Sequence, residues 1–363
     1  MKKEKISIID ILRSSGGWRL KAIKLFDHIA GGCIASILPS VSTLPSDFQG
    51  KRVLVIRPGG LGDMVFLLPF LRKMKDAGIR TDILCESRNA GIPVSQPGLV
   101  ERVFRYDHVH ELTAVFRNHY DIVIDTEQWH HLSAVTARLV KAPVKAGFAT
   151  RPSRERLFNI RVPYDQGYEL TNFLRLFERV FPDLFYQPVV LEGSYVVDEQ
   201  HLQAMRLNLP VGQAVAVFIG ASISERRLTK EQWVPLLEHL RVKKKTIILL
   251  GGREVNVLAE QLTAGNSPHI MNYAGKTDVL TTAALIKISG TLIGGDSGIL
   301  HLAAAVGAKT TGIFGPGNAD KWAPRGEKHT ILSLKLPCSP CTRFGYTLPS
   351  CCGNKTCLKN IFS

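Results

Sequence analysis

Residues 53–71 read VLVIRPGGLGDMVFLLPFL. A short β-rich run, VLVI at 53–56, gives way to a loop holding Gly59, Gly60 and Gly62 and then to a long apolar stretch that opens on Asp63. That order is strand, tight loop, helix. The glycines do not follow the G-x-G-x-x-G spacing of dinucleotide-binding loops, which argues against a dehydrogenase. Working outward, TDILCE at 81–86 and DIVID at 121–125 repeat the strand signal with helical stretches between them. Strands that alternate with helices imply a parallel sheet with crossover connections. A second set follows in AVAVFIG at 214–220, TIILLGG at 246–252, TLIGG at 291–295 and TTGIFG at 310–315.

Two doubly wound α/β units are therefore expected, over 51–195 and 205–335. An N-terminal amphipathic extension over 1–50 precedes them and a cysteine-rich element over 336–363 follows. The stretch 187–212, with Pro188 and Pro210 and little periodicity, is the expected linker. No internal repeat beyond the weak two-fold similarity stands out, and no low-complexity tract. At 363 residues, with 45% hydrophobic and 21% charged positions, the composition is that of a globular chain with a sizeable core. A net charge of +15 points to anionic partners: nucleic acid, an acidic lipid surface or a phosphorylated small molecule.

No stretch reaches the roughly 18 to 20 apolar residues that span a bilayer, and no signal peptide is recognisable, so a cytoplasmic location is expected. Near the N-terminus, Trp18, Leu20, Ile23, Leu25 and Phe26 alternate with Arg19, Lys21 and Lys24, and the apolar run Ile29 to Leu38 follows. Two readings fit this pattern. One is an interfacial anchor on anionic lipid; the other is a helix packed on the domain.

Ligands of open parallel sheets bind beyond the carboxyl ends of the strands, so the loops there are the candidates for chemistry. Asp63, among its glycines, is either a helix cap or a general base. In TLIGGDSGILHLAAAVG, 291–307, Asp296 or Ser297 caps a helix whose first N–H groups suit a phosphate. Gly298 permits close approach, and His301 lies one turn inside as a ligand contact or a structural histidine. In GASISERRLTKEQW, 220–233, Arg226 and Arg227 leave a strand end. They are either a solvated pair or two guanidinium groups for a pyrophosphate. GGRE at 251–254 and GPGN at 315–318 close further strands of the same half, so four loops are expected to converge on one nucleotide-sized cleft. No D-x-D motif follows a strand, so no catalytic metal is expected and cations with helix N-termini must stabilise the leaving group.

These motifs resemble the heptosyltransferase-type glycosyltransferases, glycosyltransferase family 9. The resemblance runs from Lys51 to Ile361 and is carried by GGLGDMVFLLP, GGDSGILHLAAAVG and FGPGNADKWAP. It implies the GT-B architecture: two facing Rossmann-like doubly wound domains with an inter-domain cleft. It implies inverting, metal-independent transfer of a sugar, most often heptose from ADP-heptose, to a hydroxyl of a lipopolysaccharide-core-like glycan or glycolipid. Asp63 falls on the family's catalytic base. Asp296, Ser297, Gly298 and His301 fall on its diphosphate and sugar segment, Ser222 and Arg226 on its preceding loop, and Glu254 on the acid that contacts donor ribose. Arg226, Arg227, Leu228 and Thr229 stand where the family has Lys followed by Trp and Pro.

DTEQWHH, 125–131, departs from the family pattern at Glu127, Trp129 and His130. Glu127 and Trp129 with Arg151, Arg154 and Arg156 are the candidates to meet an anionic acceptor; the alternative for the arginines is a solvated face. KLFDHIAGGCIASIL is similar to a segment that precedes the first strand in a subset of the family, which implies work at the cytoplasmic face of the bacterial inner membrane.

Of seven cysteines, Cys338, Cys341, Cys351, Cys352 and Cys357 crowd into the C-terminal element. Four of the five would make a tetrahedral structural site for zinc or iron, with disulfide pairing or reduced thiols as alternatives. Resemblance to family members that glycosylate adhesins, which carry a similar element, implies iron. The cluster is read as lying outside the donor loops. Three other functions remain open at this point: a sugar-nucleotide epimerase of the same fold, transfer of another sugar to a protein acceptor, and a nucleic-acid-binding module. No aromatic RNA-binding motif, zinc-finger pattern or helix-turn-helix signal supports the last.

Overall fold

The structure, a computed structural model, describes residues 8–13, 18–39, 52–206, 214–264, 269–343, 346–347, 355–359 and 361–362. The chain divides into two compact units, Met1–Val190 and Leu191–Ser363.

The first unit holds β1 (Arg52–Arg57), β2 (Arg80–Cys85), β3 (Arg102–Arg105), β4 (Ile122–Asp125), β5 (Val144–Phe148) and β6 (Ile160–Val162). They form one sheet in the order β3-β2-β1-β4-β5-β6, every pair parallel. Val53 to Arg57 of β1 are all buried, as expected of a central strand covered on both faces. Helix Leu61–Asp76 lies on one face. Its Phe70 stacks on Phe177 at 4.7 Å and meets Phe173 and Phe185, an aromatic core that Pro69 inside the helix does not interrupt. β3, β5 and β6, which the sequence reading leaves out, are short and carry Arg or Lys among their apolar residues.

The second unit repeats the design with β7 (Ala214–Phe218), β8 (Thr246–Leu250), β9 (Ile270–Asn272), β10 (Thr291–Gly295), β11 (Lys309–Ile313) and β12 (His329–Leu332). The order is β12-β11-β10-β7-β8-β9, again all parallel. Each sheet therefore reverses direction once, between β1 and β4 in the first and between β7 and β10 in the second. Those reversals are where open α/β sheets take ligands. Asp63 follows β1 and Glu127 follows β4; Arg226 follows β7 and Asp296 follows β10. Within the expected linker, Glu199–Arg206 forms a helix that packs on helix Val279–Ser289.

The N-terminal residues pack on the first unit. Trp18–Phe26, a π-helical turn Asp27–Gly31 and Gly32–Ile37 make one bent helical run against helix His131–Leu139. Ala35 is fully buried in the core. The opposite face is open: Trp18 is 74%, Ile23 64%, Phe26 59% and Ile37 81% exposed. The packed-helix reading therefore holds for one face, and the other is apolar and exposed. Among the described residues no helix is long and apolar enough to cross a membrane.

The C-terminal element is part of the second unit's core. Cys357 and Leu358 are buried there with Leu336, Ile361 and Phe362, and Phe362 lies 6.3 Å from Trp233. Cys351 and Cys352 lie outside the described residues. Among those described, no group of three or more potential ligands is placed to hold a metal ion.

Candidate active site

At the first reversal point the central group is Arg57, the last residue of β1, which the sequence reading quotes but does not single out. Its side chain is 2% exposed. One guanidinium nitrogen donates to the Thr126 carbonyl at 2.6 Å and to Gln128 Oε1 at 3.3 Å. The other lies 3.2 Å from Asp63 Oδ1 and 3.5 Å from Glu127 Oε2. Burial works against the charge, but Asp63, Glu127 and Glu169 outweigh it and hold Arg57 above the ordinary arginine range. The cation therefore ties the loop after β1 to the loop after β4.

This arrangement explains the glycine turn. Gly59 has φ +119°, and a Cβ there would lie 3.2 Å from the Arg57 guanidinium. Gly60 takes the helix N-cap position, with Gly62 in the first turn, and no side chain caps the helix there. Asp63, 17% exposed, instead turns its carboxylate back toward Arg57. The capping reading of Asp63 does not hold, because the N-cap is Gly60 and Asp63, within the first turn, makes no capping bond.

Glu127 accepts from the Trp129 N–H at 2.9 Å and is buried. Burial raises its pKa, but His130 and Arg57 prevail and hold it below the usual glutamate range. Arg151 lies over the Trp129 ring at 5.6 Å, and Trp129 meets Tyr164 edge-on at 6.2 Å. Arg156 donates to the Ser36 carbonyl of the N-terminal run at 2.5 Å.

Arg154 is not brought to the surface with Arg151. It is fully buried, pairs with Asp125 at 3.0 Å, and donates to the carbonyls of Glu127 and His130. Breaking a buried pair of this kind costs about 3–5 kcal/mol, so its place is beneath the β4 loop as a support. Burial pushes the Asp125 carboxyl up to about 6 against the pull of Arg154.

At the second reversal point, Arg226 Nη1 lies 3.0 Å from Asp296 Oδ2, both side chains largely buried. Burial raises the Asp296 pKa against the pull of Arg226. Ser297 is the N-cap of helix Gly298–Ala305, with Gly298 as its first residue, but its hydroxyl makes no capping bond. The first N–H groups are left to backbone geometry and to whatever anion lies there. His301, one turn in, is held neutral: burial and Arg226 push it down to about 3.

Gly317 closes the site, and a Cβ at that position would overlap the Asp296 carboxylate outright. Glu254 is exposed and folds back toward Gly252 and Gly220. Arg227 turns inward and donates to the Ala221 carbonyl at 2.7 Å, while Ser222 is exposed on the same loop.

The cysteine-rich element, read from sequence as lying away from these loops, braces two of them. Lys355 Nζ donates to the carbonyls of Ser224 and Arg227 at 3.1 and 3.2 Å, gripping the loop that carries Arg226. The N–H groups of Cys341 and Thr342 donate to the Pro316 carbonyl at 3.0 and 2.9 Å, beside Gly317.

Two doubly wound units, one with an acid in the helix turn that follows a glycine loop and one with a guanidinium beside a helix N-terminus, are the arrangement expected of a glycosyltransferase. The chain matches the family model for glycosyltransferase family 9 (heptosyltransferase) over residues 109–350, and it belongs to that family. It is 26% identical over 322 residues to lipopolysaccharide heptosyltransferase 1 of Pseudomonas aeruginosa, covering 80% of this chain and 86% of that protein. Among solved structures it is similar to the E. coli heptosyltransferase WaaC with ADP, with TM-score 0.64 and 22% identity over 77% of this chain and 92% of that one. WaaC with ADP-2-deoxy-2-fluoro heptose matches at TM-score 0.61 and 22% identity, over 82% and 95% of the two chains. The parallel sheets and these neighbours agree on the GT-B fold, and membership of a transferase family sets aside the epimerase and nucleic-acid readings.

Gly317→Ala tests the donor half. The added methyl must displace Asp296 and with it Arg226, so calorimetric affinity for ADP should fall about ten-fold or more, the loss of at least one charge-assisted hydrogen bond. Unchanged affinity would separate the Gly317 loop from nucleotide binding.

Proposed function

We propose that this protein transfers heptose from ADP-heptose to a hydroxyl of an anionic lipopolysaccharide-core glycan, with inversion and without a catalytic metal. The observation that carries the reading is the placement of Asp63: in the first helical turn after a glycine loop at a sheet reversal, partly exposed, its carboxylate set by a buried arginine. Asp63 takes the proton from the acceptor hydroxyl as that oxygen attacks the anomeric carbon and the bond to the ADP oxygen breaks. Arg226 and the N–H groups at the start of helix Gly298–Ala305 receive the charge that develops on the diphosphate. Neutral His301 is a hydrogen-bonding partner there rather than a second cation. Glu254 is the ribose contact, Ser222 and Arg227 shape the diphosphate loop, and Trp129 with Arg151 offers an aromatic and cationic face to the acceptor.

Two finer assignments belong to the same reading. The exposed Trp18, Ile23, Phe26 and Ile37, beside exposed Arg13 and Arg19, have the composition of a surface that lies on anionic lipid. This supports work at the cytoplasmic face of the inner membrane on a lipid-linked acceptor. The C-terminal cysteines would hold a structural zinc or iron ion, whose service to catalysis is indirect, through the braced loops around Arg226 and Gly317.

Transfer is measured as the gain of one heptose on a core oligosaccharide by mass spectrometry. Asp63→Asn should lower turnover by about 10²- to 10⁴-fold, the range of a lost general base, with ADP affinity unchanged; wild-type turnover in the variant would remove Asp63 from the mechanism. For the membrane assignment, Trp18→Glu combined with Ile23→Glu should abolish co-sedimentation with phosphatidylglycerol vesicles and leave the melting temperature unchanged. Equal binding by the variant would contradict it.

A further inference from the structure

The N-terminal run does more than pack. Asp27, on its π-helical turn, is 6% exposed. It accepts from the N–H groups of His131 at 3.1 Å and Leu132 at 2.8 Å, the first two residues of helix His131–Leu139. It therefore supplies from more than 100 positions away the cap that the helix lacks locally, since no side chain caps it at His130. The same carboxylate lies 3.4 Å from His130 Nδ1 and 3.7 Å from His131 Nδ1. A Cβ at Gly31 would lie 3.1 Å from the His131 Cβ, so the run sits as close to this helix as glycine allows.

His130 ends the loop that carries Glu127, and its N–H points at Glu127 Oε1 from 3.5 Å. Glu127 in turn shares Arg57 with Asp63. Contacts thus run from Asp27 to the His130 ring, from the His130 backbone N–H to Glu127, and from Glu127 through Arg57 to Asp63. Arg154 holds the same loop from beneath through its carbonyls.

We propose that Asp27 is a positioning residue for the acceptor side: the N-terminal run fixes the 126–130 loop, and through Glu127 and Arg57 the carboxylate of Asp63. The step from loop to base rests on the reading of Asp63 above; the grip of Asp27 on His130 does not. The N-terminal run is then an integral part of the acceptor half and not a detachable anchor.

The groups facing His130 are Asp27 and Lys24 from the N-terminal run, Glu127 from its own loop, and His131 and Arg154, the latter on its carbonyl. The His130 side chain is 41% exposed, so desolvation is partial; desolvation and Lys24 lower its pKa, and Glu127 and Asp27 raise it and prevail. Asp27 is itself held below its ordinary value of 3.8, against burial, by hydrogen bonds from His130 and His131. The signs follow. A raised histidine contributes stability that is full below its unfolded value and is lost as pH rises through the folded midpoint. A depressed aspartate contributes stability that is present above its unfolded value and is lost on acidification. The contribution of the Asp27–His130 pair is therefore greatest between about pH 4 and the ordinary histidine value of 6.5, and is lost as pH rises from there through the raised His130 midpoint.

The test uses the full chain and Asp27→Asn. Asn keeps one of the two oxygen acceptors that meet the His131 and Leu132 N–H groups while the charge is removed, and a melting curve checks that the fold is kept. Three quantities are read: the NMR titration of His130, kcat and KM for acceptor, and ADP affinity. The expected result is a His130 midpoint that falls toward the ordinary histidine value, a kcat/KM for acceptor lowered about ten-fold, the scale of one charge-assisted hydrogen bond, and unchanged ADP affinity. Asp27→Glu should recover part of the loss.

An unmoved His130 midpoint would overturn the proposal, as would a moved midpoint with wild-type kcat/KM at every pH. Retained turnover in Asp63→Asn together with a moved His130 midpoint would instead fault the base assignment, so the two failures are told apart.

Discussion

A guanidinium buried between two carboxylates is the interaction on which the first unit's site depends. Arg57 cannot be 2% exposed without partners, because an unpaired buried cation costs several kcal/mol. Satisfying it draws Asp63 from the loop after β1 and Glu127 from the loop after β4, and the glycines at 59 and 60 follow as the space these groups need. One cation shared by two carboxylates leaves a net negative charge. That residual charge accounts for the gathering of Lys24 and His130 around Glu127. Lys24 is pushed down to about 8 by burial and Arg88, with Glu127 pulling the other way.

The second unit solves a related problem with the opposite outcome. Arg226 meets the buried carboxylate of Asp296, and His301, which feels the same cation, is kept neutral by burial and by Arg226. The first unit therefore offers carboxylate chemistry and the second offers positive potential at a helix N-terminus.

Much of this was legible in the sequence because parallel strands buried on both faces read as continuous apolar runs: VLVI, AVAVF and TIILL are β1, β7 and β8. The shorter β3, β5 and β6 hid behind arginine and lysine. Lys145 of β5, for instance, is buried with its amine bonded to the carbonyls of Val140 and Ala142, a pairing no local pattern announces. The residues at the second reversal point were readable because glycine, aspartate and a helix start stand together in the chain. Asp27 was not, since its partners are about a hundred residues away. Arg154 was misplaced because a loop arginine has the same local pattern whether it faces solvent or a buried aspartate. The cysteine element was set apart from the donor loops for a similar reason: Lys355 and Cys341 reach them only through backbone carbonyls, which carry no side-chain signature.

The claim that ties the two halves together is that the second unit binds an adenine nucleotide diphosphate for a transfer begun in the first. Calorimetric titration of the whole protein with ADP, UDP and GDP in turn tests it most directly. The account predicts saturable, selective binding of ADP at one site per chain. Selective binding of UDP or GDP would contradict the donor, and no binding of any of the three would contradict the assignment of the Arg226 and Asp296 site.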